Sequence, residues 1–300
     1  MIDIKLVTFI TVAKTKNFTR AADILNITQP AISQHIKVLE EYYGVKLLYK
    51  KGRQMELTEE GKLLFKRALK LDRLSKIIKS ELKNQSSFIK RYNVGATLTI
   101  GGYVLPEIIG QHKKQYENID IILYVENTEI IIKKLFAGEI HLGVIEGPFN
   151  KDKVKYQKFK DDELILAVSP LHGFAEKEFV TIEEVLKEKL ILREKGSGTR
   201  QVFEDYLLRA GYSLENKDIY MEIGNITALI SLVESNVGCT IVSKEAIKTS
   251  LQNNTLKTIP IKDLKMMRAF HFIYLDKTHE EFIHHFMKFC RESLFHNQQD

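Results

Sequence analysis

The stretch Thr28-Gln29-Pro30-Ala31-Ile32-Ser33-Gln34 decides how the first part of this chain is interpreted. Thr28 can cap a helix with its hydroxyl, and Pro30 is tolerated in the first turn, where backbone N–H groups have no partner within the helix. Apolar residues fall on one face and can pack: Ala31, Ile32, Ile36 and Leu39. Polar residues project from the other face: Gln29, Ser33, Gln34 and Lys37. Such side chains can hydrogen-bond base edges and phosphates, which predicts a helix that contacts nucleic acid.

The residues on either side of this helix complete a small winged fold. Before it, apolar residues from Ile4 to Ala13 predict a buried first helix, and Asn17 or Thr19 can cap a second one. After it, residues 45–49 and 54–57 read as two short strands around a basic turn, which form a wing that can reach the DNA backbone. The predicted DNA-contacting residues are Arg20, Thr28, Gln29, Pro30, Ser33, Gln34, Lys37, Lys50 and Arg53.

Charge is distributed unevenly along the chain. Residues 1–90 carry 18 of the 45 Lys and Arg residues but only 9 of the 39 Asp and Glu residues, which gives this part a charge of +9. The remainder carries −3. A basic head on a slightly acidic body indicates a polyanion as the partner of the head, although a solvated lysine-rich surface would give the same count.

The first ninety residues resemble the LysR-type transcriptional regulators. The matching residues are Phe18-Thr19-Arg20-Ala21-Ala22, Leu25, the stretch 28–34, Leu39-Glu40, Gly44, Leu47 and Leu57-Thr58-Glu59-Glu60-Gly61. The resemblance implies a winged helix-turn-helix that binds double-stranded promoter DNA, a linker helix that pairs two chains, and usually a tetramer. It also makes RNA polymerase a candidate partner.

A long helix is predicted from about Thr58 to Ser86, because acids follow a capping threonine and Gly61 is the only glycine or proline in it. Leu57, Leu64, Leu71 and Ile78 recur every seven residues. A stripe of this length is either ordinary core or a dimer seam, and the resemblance favours the seam. The predicted domains are therefore 1–58, a linker helix 59–88 and a body 89–300.

The body alternates between strand and helix patterns, which predicts an α/β fold with mostly parallel sheets and a ligand at the carboxyl ends of the strands. The predicted strands are 92–96, 119–125, 140–145, 164–168, 189–192, 219–223, 238–242 and 269–275. The resemblance implies a periplasmic-binding-protein-like body of two lobes. The first lobe would be about 91–161 with 269–300, and the second about 162–268.

Four segments at predicted strand-to-helix turns should meet in the cleft: 96–102, 143–148, 196–200 and 223–227. Hydroxyls and glycines at helix N-termini offer donors to an anion, so we expect a small anionic effector. The predicted effector-binding residues are Thr97, Leu98, Thr99, Glu146, Ser197, Gly198, Thr199 and Asn225. The alternative is that these hydroxyls only cap helices. Glu146 argues against an anion unless it is protonated or meets a donor on the ligand, and Arg200 could pair either the effector or an acid on its own helix.

Segments 143–148 and 193–200 are similar to the branch of the LysR family concerned with sulfur assimilation and carbon fixation, which makes sulfite a candidate effector. No catalytic constellation, metal site or cofactor is expected. His279 and His284, five residues apart, would point about 140° apart on a helix that we expect to be solvated. The start of the chain is not a signal peptide, and two cysteines fit a reducing cytoplasm. We therefore expect a cytoplasmic regulator, with a solute-binding module or an enzyme as alternatives.

Overall fold

The computed structural model describes residues 2–52, 54–86, 89–214, 219–275 and 279–296. The chain forms two compact units, which are Met1–Ser87 with Ala137–Glu139, and Phe88–Phe136 with Ile140–Asp300. Within the described residues, no helix is both long and apolar enough to cross a membrane.

The first unit is a winged helix-turn-helix followed by one long helix. Its elements are α1 (Ile4–Thr15), α2 (Phe18–Leu25), α3 (Gln29–Tyr43), β1 (Leu48–Lys51), β2 (Gln54–Leu57) and α4 (Glu59–Ser86). Asn17, rather than Thr19, caps α2 by accepting the Arg20 N–H at 3.0 Å, and Thr28 caps α3. Gly44 ends α3 with a positive φ of 67°, a conformation that costs glycine little. These caps fix where α2 begins and where α3 begins and ends.

The core of the first unit lies between the three short helices, the wing and the start of α4. Its fully buried side chains include Phe9, Val12, Ala21 and Ile32. Ala68 of α4 is also fully buried there, with Leu64 and Leu69 packed beside it. The N-terminal part of α4 is therefore core rather than a seam between chains.

The C-terminal part of α4 carries an exposed apolar stripe. The members of this α4 stripe are 46–60% exposed: Leu71, Leu74, Ile78 and Leu82. Large apolar side chains grouped on one helix in water are typical of an interaction surface. The heptad pattern in the sequence thus combines two roles, with its first members in the core and its last members exposed.

The second unit is an α/β fold. Its strands are β3 (Lys90–Thr97), β4 (Ile119–Glu126), β5 (Leu142–Ile145), β6 (Lys155–Val168), β7 (Ile191–Arg193), β8 (Met221–Ile223), β9 (Thr240–Ser243), β10 (Lys257–Ile259) and β11 (Met266–Tyr274). Its α-helices are α5 (Leu98–Tyr103), α6 (Leu105–Gln115), α7 (Thr128–Phe136), α8 (Ile182–Lys187), α9 (Gly198–Arg209), α10 (Ile226–Glu234), α11 (Lys248–Gln252) and α12 (Glu280–His296).

The expectation of mostly parallel sheets is wrong. Strands follow the order β10-β6-β11-β5-β3-β4, with β9 also paired to β6 and with β7 and β8 forming a separate pair. Among the described strands of this unit, β3–β4, β3–β5 and β7–β8 pair in parallel and the other four pairings are antiparallel. Isolated parallel bridges also join Val180 to Ile261 and Leu190 to Cys239. The long strands β6 and β11 cause the difference, because they run antiparallel to each other through the predicted lobe boundaries at 161/162 and 268/269. The half of β6 before Leu164 is rich in charge, which is why no strand was predicted there.

The expectation of a solvated terminal helix is also wrong. One face of α12 is buried through Phe282, Ile283, Phe286 and Cys290, which join the core around β3, β5 and β11. Their spacing of three or four residues is that of an amphipathic helix. A second core, which includes Leu164, Phe203 and Ile241, fills the other lobe.

Candidate functional site

The residues predicted to contact DNA lie on one helix and its surroundings in the first unit. Side chains of Arg20, Thr28, Gln29, Pro30, Gln34, Lys37 and Lys50 are exposed, and Ser33 is half-buried. Arg53 lies outside the described residues. Thr28 uses its hydroxyl to cap α3, so its role at the surface is to hold the first turn of the helix. The assignment of the others to DNA stays a prediction.

The polar face of α3 is partly ordered by its own contacts. Gln29 Nε2 donates to Ser33 Oγ at 3.0 Å, one helical turn away. On the opposite side, the Thr8 hydroxyl and His35 Nδ1 share a hydrogen bond of 2.9 Å, which ties α3 to α1. Because these contacts already restrict α3 and its side chains, binding of DNA would cost little additional conformational entropy.

The wing is joined to α3 by Glu40, a residue that sequence reasoning quoted only for its resemblance. Its carboxylate accepts the backbone N–H groups of Leu47 and Leu48 at 2.8 and 3.3 Å, and it pairs with Lys46 Nζ at 2.7 Å. Burial alone would raise the pKa of the Glu40 carboxyl, but these hydrogen bonds lower it. The end of α3 thus fixes the start of β1 and the position of the basic turn.

In the second unit, residues of three of the four predicted turns belong to one buried polar cluster. The buried residues are Thr97 at the end of β3, Thr99 in α5, Glu146 directly after β5, and Ser197 and Thr199 at the start of α9.

Two glycines hold the second and third of these segments in contact. A Cβ atom added to Gly198 would lie 2.6 Å from Gly147 Cα and 2.9 Å from Thr128 Oγ1. Only residues without side chains allow the two backbones to approach this closely. Leu98, the remaining predicted residue of the first turn, packs against the core of the second lobe.

Arg268, which sequence reasoning missed, is the centre of the cleft. It stands directly opposite Asp162 in the β6–β11 ladder, and its Nε donates to Asp162 Oδ2 at 2.7 Å. Its Nη1 donates to Thr199 Oγ1 at 3.0 Å and lies 4.0 Å from Glu146 Oε1. Ser243 donates to the other oxygen of Asp162 at 2.7 Å. The Arg268 guanidinium therefore contacts β6, which pairs with its own strand between the two lobes, and it also contacts the first turn of α9.

Several buried polar atoms of these segments, of Thr128 and of Arg268 have no hydrogen bond of regular geometry within the described residues. They are Oγ1 of Thr97, Thr99 and Thr128, Oε2 of Glu146 and Nη2 of Arg268. Each buried polar group left without a partner costs about 1–3 kcal/mol, so a group of them indicates a site that a ligand or water completes. Both donors and acceptors are present among them.

The alternative that the hydroxyls only cap helices holds for one turn and not for two others. Thr97 and Ser197 occupy the N-cap positions of α5 and α9 but make no capping hydrogen bond with their side chains. Asn225 is exposed and accepts the Ala228 N–H at 3.0 Å, so it acts as the cap of α10. Within the part of the chain that the structure describes, no hydrogen bond joins Asn225 to the buried cluster.

Arg200 is also explained by structure rather than by the effector. Its Nε donates to Glu204 Oε1 at 2.7 Å on the same helix, and its Nη1 donates to Glu222 and to the Arg193 carbonyl oxygen. Of the alternatives for Arg200, the acid on its own helix is the one observed.

Two signals could have found the missed residues. Thr128 follows β4 as Thr97 follows β3, but the sequence placed the start of the helix two residues too late. Asp162 and Arg268 adjoin the predicted lobe boundaries, where chains that cross between lobes must lie. Among the described residues, no group of three or more His, Cys, Asp or Glu side chains could hold a metal ion.

Comparison with known proteins gives two matches that together cover most of the chain. Residues 5–62 match the family described as "Bacterial regulatory helix-turn-helix protein, lysR family", and residues 86–295 match the "LysR substrate binding domain". An uncharacterised HTH-type transcriptional regulator of Methanocaldococcus jannaschii is 34% identical over 275 residues, which are 90% of each chain. CysL of Bacillus subtilis is 29% identical over 90% of this chain and 89% of its own.

Two further comparisons agree with these. A probable RuBisCO transcriptional regulator of Phaeodactylum tricornutum is 30% identical over 94% of each chain. Hydrogen-peroxide-bound OxyR from Corynebacterium glutamicum shares the fold at a TM-score of 0.61 and 23% identity, over 98% of this chain and 92% of that one. The regulatory domain of Synechocystis CcmR in complex with 2-PG does so at 0.61 and 23%, over 68% and 96%.

The matched head excludes the alternative of a solute-binding module without a transcriptional role, and the named relatives are transcriptional regulators, not enzymes. The chain belongs to the LysR family and is a DNA-binding transcriptional regulator with an effector-binding domain.

Proposed function

We propose that the effector is a small anion bound in the polar cleft, and that its binding alters how the head holds promoter DNA. One observation carries this proposal. Among the described residues, Nη2 of the buried Arg268 and the buried hydroxyls of Thr97, Thr99 and Thr128 have no hydrogen bond of regular geometry. A guanidinium presents several fixed N–H donors that suit oxyanions and carboxylates, and hydroxyls can complete their coordination.

The resemblance of segments 143–148 and 193–200 to the sulfur-assimilation and carbon-fixation branch makes a sulfur oxyanion the first candidate. CcmR is described in complex with 2-PG, and CysL and the probable RuBisCO regulator match this chain over most of its length. Sulfite suits a cluster in which Nη2 of Arg268 and several hydroxyls have no hydrogen bond of regular geometry among the described residues. No cofactor is needed for this function, because binding alone shifts the population between two states.

The proposal also covers self-association through the α4 stripe and the location of the protein in the cell. The α4 stripe gives two copies an apolar surface to share, and a pair of heads matches a two-fold symmetric operator. We propose a homodimer that pairs further into a homotetramer. Its place is the cytoplasm, where it meets promoter DNA and RNA polymerase.

The test is a thermal-shift screen with sulfite, sulfate, thiosulfate and small carboxylates. A ligand that binds only the folded state raises the unfolding midpoint, and a concentration of 100 times Kd contributes about 2.7 kcal/mol. We expect at least one anion to raise the midpoint of the wild-type protein. Thr97→Val, which removes one unpartnered hydroxyl at constant shape, should reduce that shift while leaving the unliganded protein folded.

The matched control is Thr258→Val, because Thr258 is an exposed threonine on β10. It should keep the full shift. If no anion raises the midpoint, or if both valine variants respond like the wild type, the cleft is not an anion site.

A further inference from the structure

Glu146 is a carboxyl group in the proposed anion site. It is buried at the end of β5, and its Oε2 has no hydrogen bond of regular geometry. Burial raises the pKa of Glu146, and Arg268 opposes the rise. Burial of this carboxyl therefore disfavours its ionised form.

The charged groups that face Glu146 come from three strands. Arg268 of β11, Asp162 of β6 and Arg193 of β7 act on its pKa, and the hydroxyl of Thr99 in α5 also favours its ionised form. Asp162 is paired with Arg268 at 2.7 Å, and Arg193 is paired with Glu194 at 2.8 Å. Each guanidinium thus already has a carboxylate of its own.

This pairing leaves Glu146 as the unbalanced charge. The five charged groups are Arg268, Asp162, Arg193, Glu194 and Glu146. With Glu146 ionised, their charges sum to −1, so an arriving anion would be repelled in a medium of low dielectric. With Glu146 protonated, the same groups are neutral and the carboxyl becomes a hydrogen-bond donor. The second state accepts an anion and the first opposes it.

We propose, building on the effector function above, that the cleft binds its anion together with one proton, which is held on Glu146. In the bound state the neutral carboxyl donates to one oxygen of the anion, while Nη2 of Arg268 donates to the anion as well. The recognised ligand class is a small oxyanion or carboxylate without a cationic group. No bond is made or broken except the O–H bond formed when solvent supplies the proton.

The direction of the pH dependence follows from this coupling. Below the pKa of Glu146 in the free protein the proton is already present, so affinity is constant. Above that pKa each anion must bring in a proton, and affinity falls about tenfold for each pH unit. A cationic or zwitterionic ligand that needs ionised Glu146 would show the opposite slope.

The experiment measures sulfite and sulfate affinity of the full-length protein between about pH 5 and about pH 8 by thermal shift and by calorimetry. Sulfate keeps its own charge over this interval, so any slope belongs to the protein. Each shift is taken against the unliganded protein at the same pH. Calorimetry in two buffers with different ionisation enthalpies counts protons, and about one should be taken up per anion at the high-pH end.

Glu146→Gln separates the roles of this side chain, because an amide donates at every pH. The variant should bind the anion with a flat pH profile. The matched control is Glu163→Gln on the next residue of β6 after Asp162, whose side chain is partly exposed and lies near Lys244. It should keep the wild-type slope.

A flat wild-type profile with anion binding intact would overturn the coupled proton while leaving the anion site standing. Two results would show that an ionised carboxylate receives a donor from the ligand, and either would overturn the coupled proton. One is loss of anion binding in Glu146→Gln at every pH. The other is a thermal shift caused by the free amino acid glycine, a zwitterion, that grows with pH. If no anion binds the wild type at any pH, the proposed function fails, and this coupling fails with it.

Discussion

The head and the cleft of this protein place their polar side chains in opposite ways. On the head, most of the candidate DNA contacts lie on one helix at the surface and come from a single run of residues, 28–37, with Arg20 and the wing outside it. In the cleft, the candidate effector contacts are buried and come from five separated places along the chain, which are the segments around 97, 128, 146, 198 and 268. An exposed side chain that contacts DNA can be substituted without disturbing the fold. A buried polar cluster, in contrast, also stabilises the fold.

This difference in burial indicates that the same residues contribute to stability and to function in the cleft but not on the head. Exposed polar groups lose little when a neighbour is removed, because water replaces it. Buried charges depend on their partners, since removal of one leaves the other in a low-dielectric interior. Mutations should therefore separate binding from stability in the head and mix them in the cleft.

The largest expected effect is in the cleft. Arg268→Met leaves Asp162 buried without its partner and should lower the free energy of unfolding by about 3–5 kcal/mol, measured by urea denaturation. Arg209→Met, at an exposed position at the end of α9, should cost less than about 0.5 kcal/mol. Combining Arg268→Met with Asp162→Leu should recover part of the loss. Equal stability of the two arginine variants would contradict the buried network.

A second effect tests the close approach of the glycines. Gly198→Ala would place a Cβ atom 2.6 Å from Gly147 Cα, so the two segments must move apart. We expect a loss of about 1–3 kcal/mol in denaturation, together with a weaker anion shift. Gly110→Ala is the control, because nothing lies within 4 Å of its added Cβ in α6, and it should stabilise by up to about 1 kcal/mol. A harmless Gly198→Ala would mean that the segments are not held together as described.

The head should respond in binding rather than in stability. Gln34→Ala is expected to weaken operator binding by about 1–3 kcal/mol and to affect random duplex much less, because a base reader carries sequence information. Lys50→Ala should weaken both and lower the salt slope by about one, as a phosphate contact does. Fluorescence anisotropy at several salt concentrations measures both quantities. If the two variants lost the same affinity for operator and for random duplex, Gln34 and Lys50 could not be distinguished as a base contact and a phosphate contact.

One exposed residue of the head should nevertheless affect its stability. Thr28→Ala removes the cap of α3 and should cost about 0.5–2 kcal/mol of unfolding free energy. Thr19→Ala is the matched control, because Asn17 already caps α2. Thermal denaturation of both variants measures the difference, and a control as unstable as Thr28→Ala would argue against the capping role.

The smallest expected effect concerns the two cysteines. Burial raises the pKa of Cys239 to about 12 and raises that of Cys290 as well, and both thiols are free and buried. Because the thiolate is the reactive form, neither should react with a thiol reagent or with peroxide in the native protein. Labelling should appear only after unfolding. Rapid labelling of the native chain would show that one of the cores opens.

The sequence predicts most of the head and only part of the cleft. Caps, turns and the two faces of α3 are local, so Asn17, Thr28 and Gly44 act as their residue types indicate. The cleft depends on strand pairing between distant residues, and the Arg268–Asp162 pair is separated by 106 positions. No local pattern marks such a pair, which is why the hydroxyl-bearing turns were found but the central guanidinium was not.

The central claim is that the anion in the cleft and the DNA on the head bind in a coupled way. The most direct measurement is the affinity of the full-length protein for a selected operator and for scrambled duplex at one moderate salt concentration, with and without the anion that raises its unfolding midpoint. We predict a preference for the operator of at least about 10³, and a change of about fivefold or more in operator affinity when the anion is present. Equal affinity for both duplexes, or an operator affinity that the anion leaves unchanged, would contradict the account.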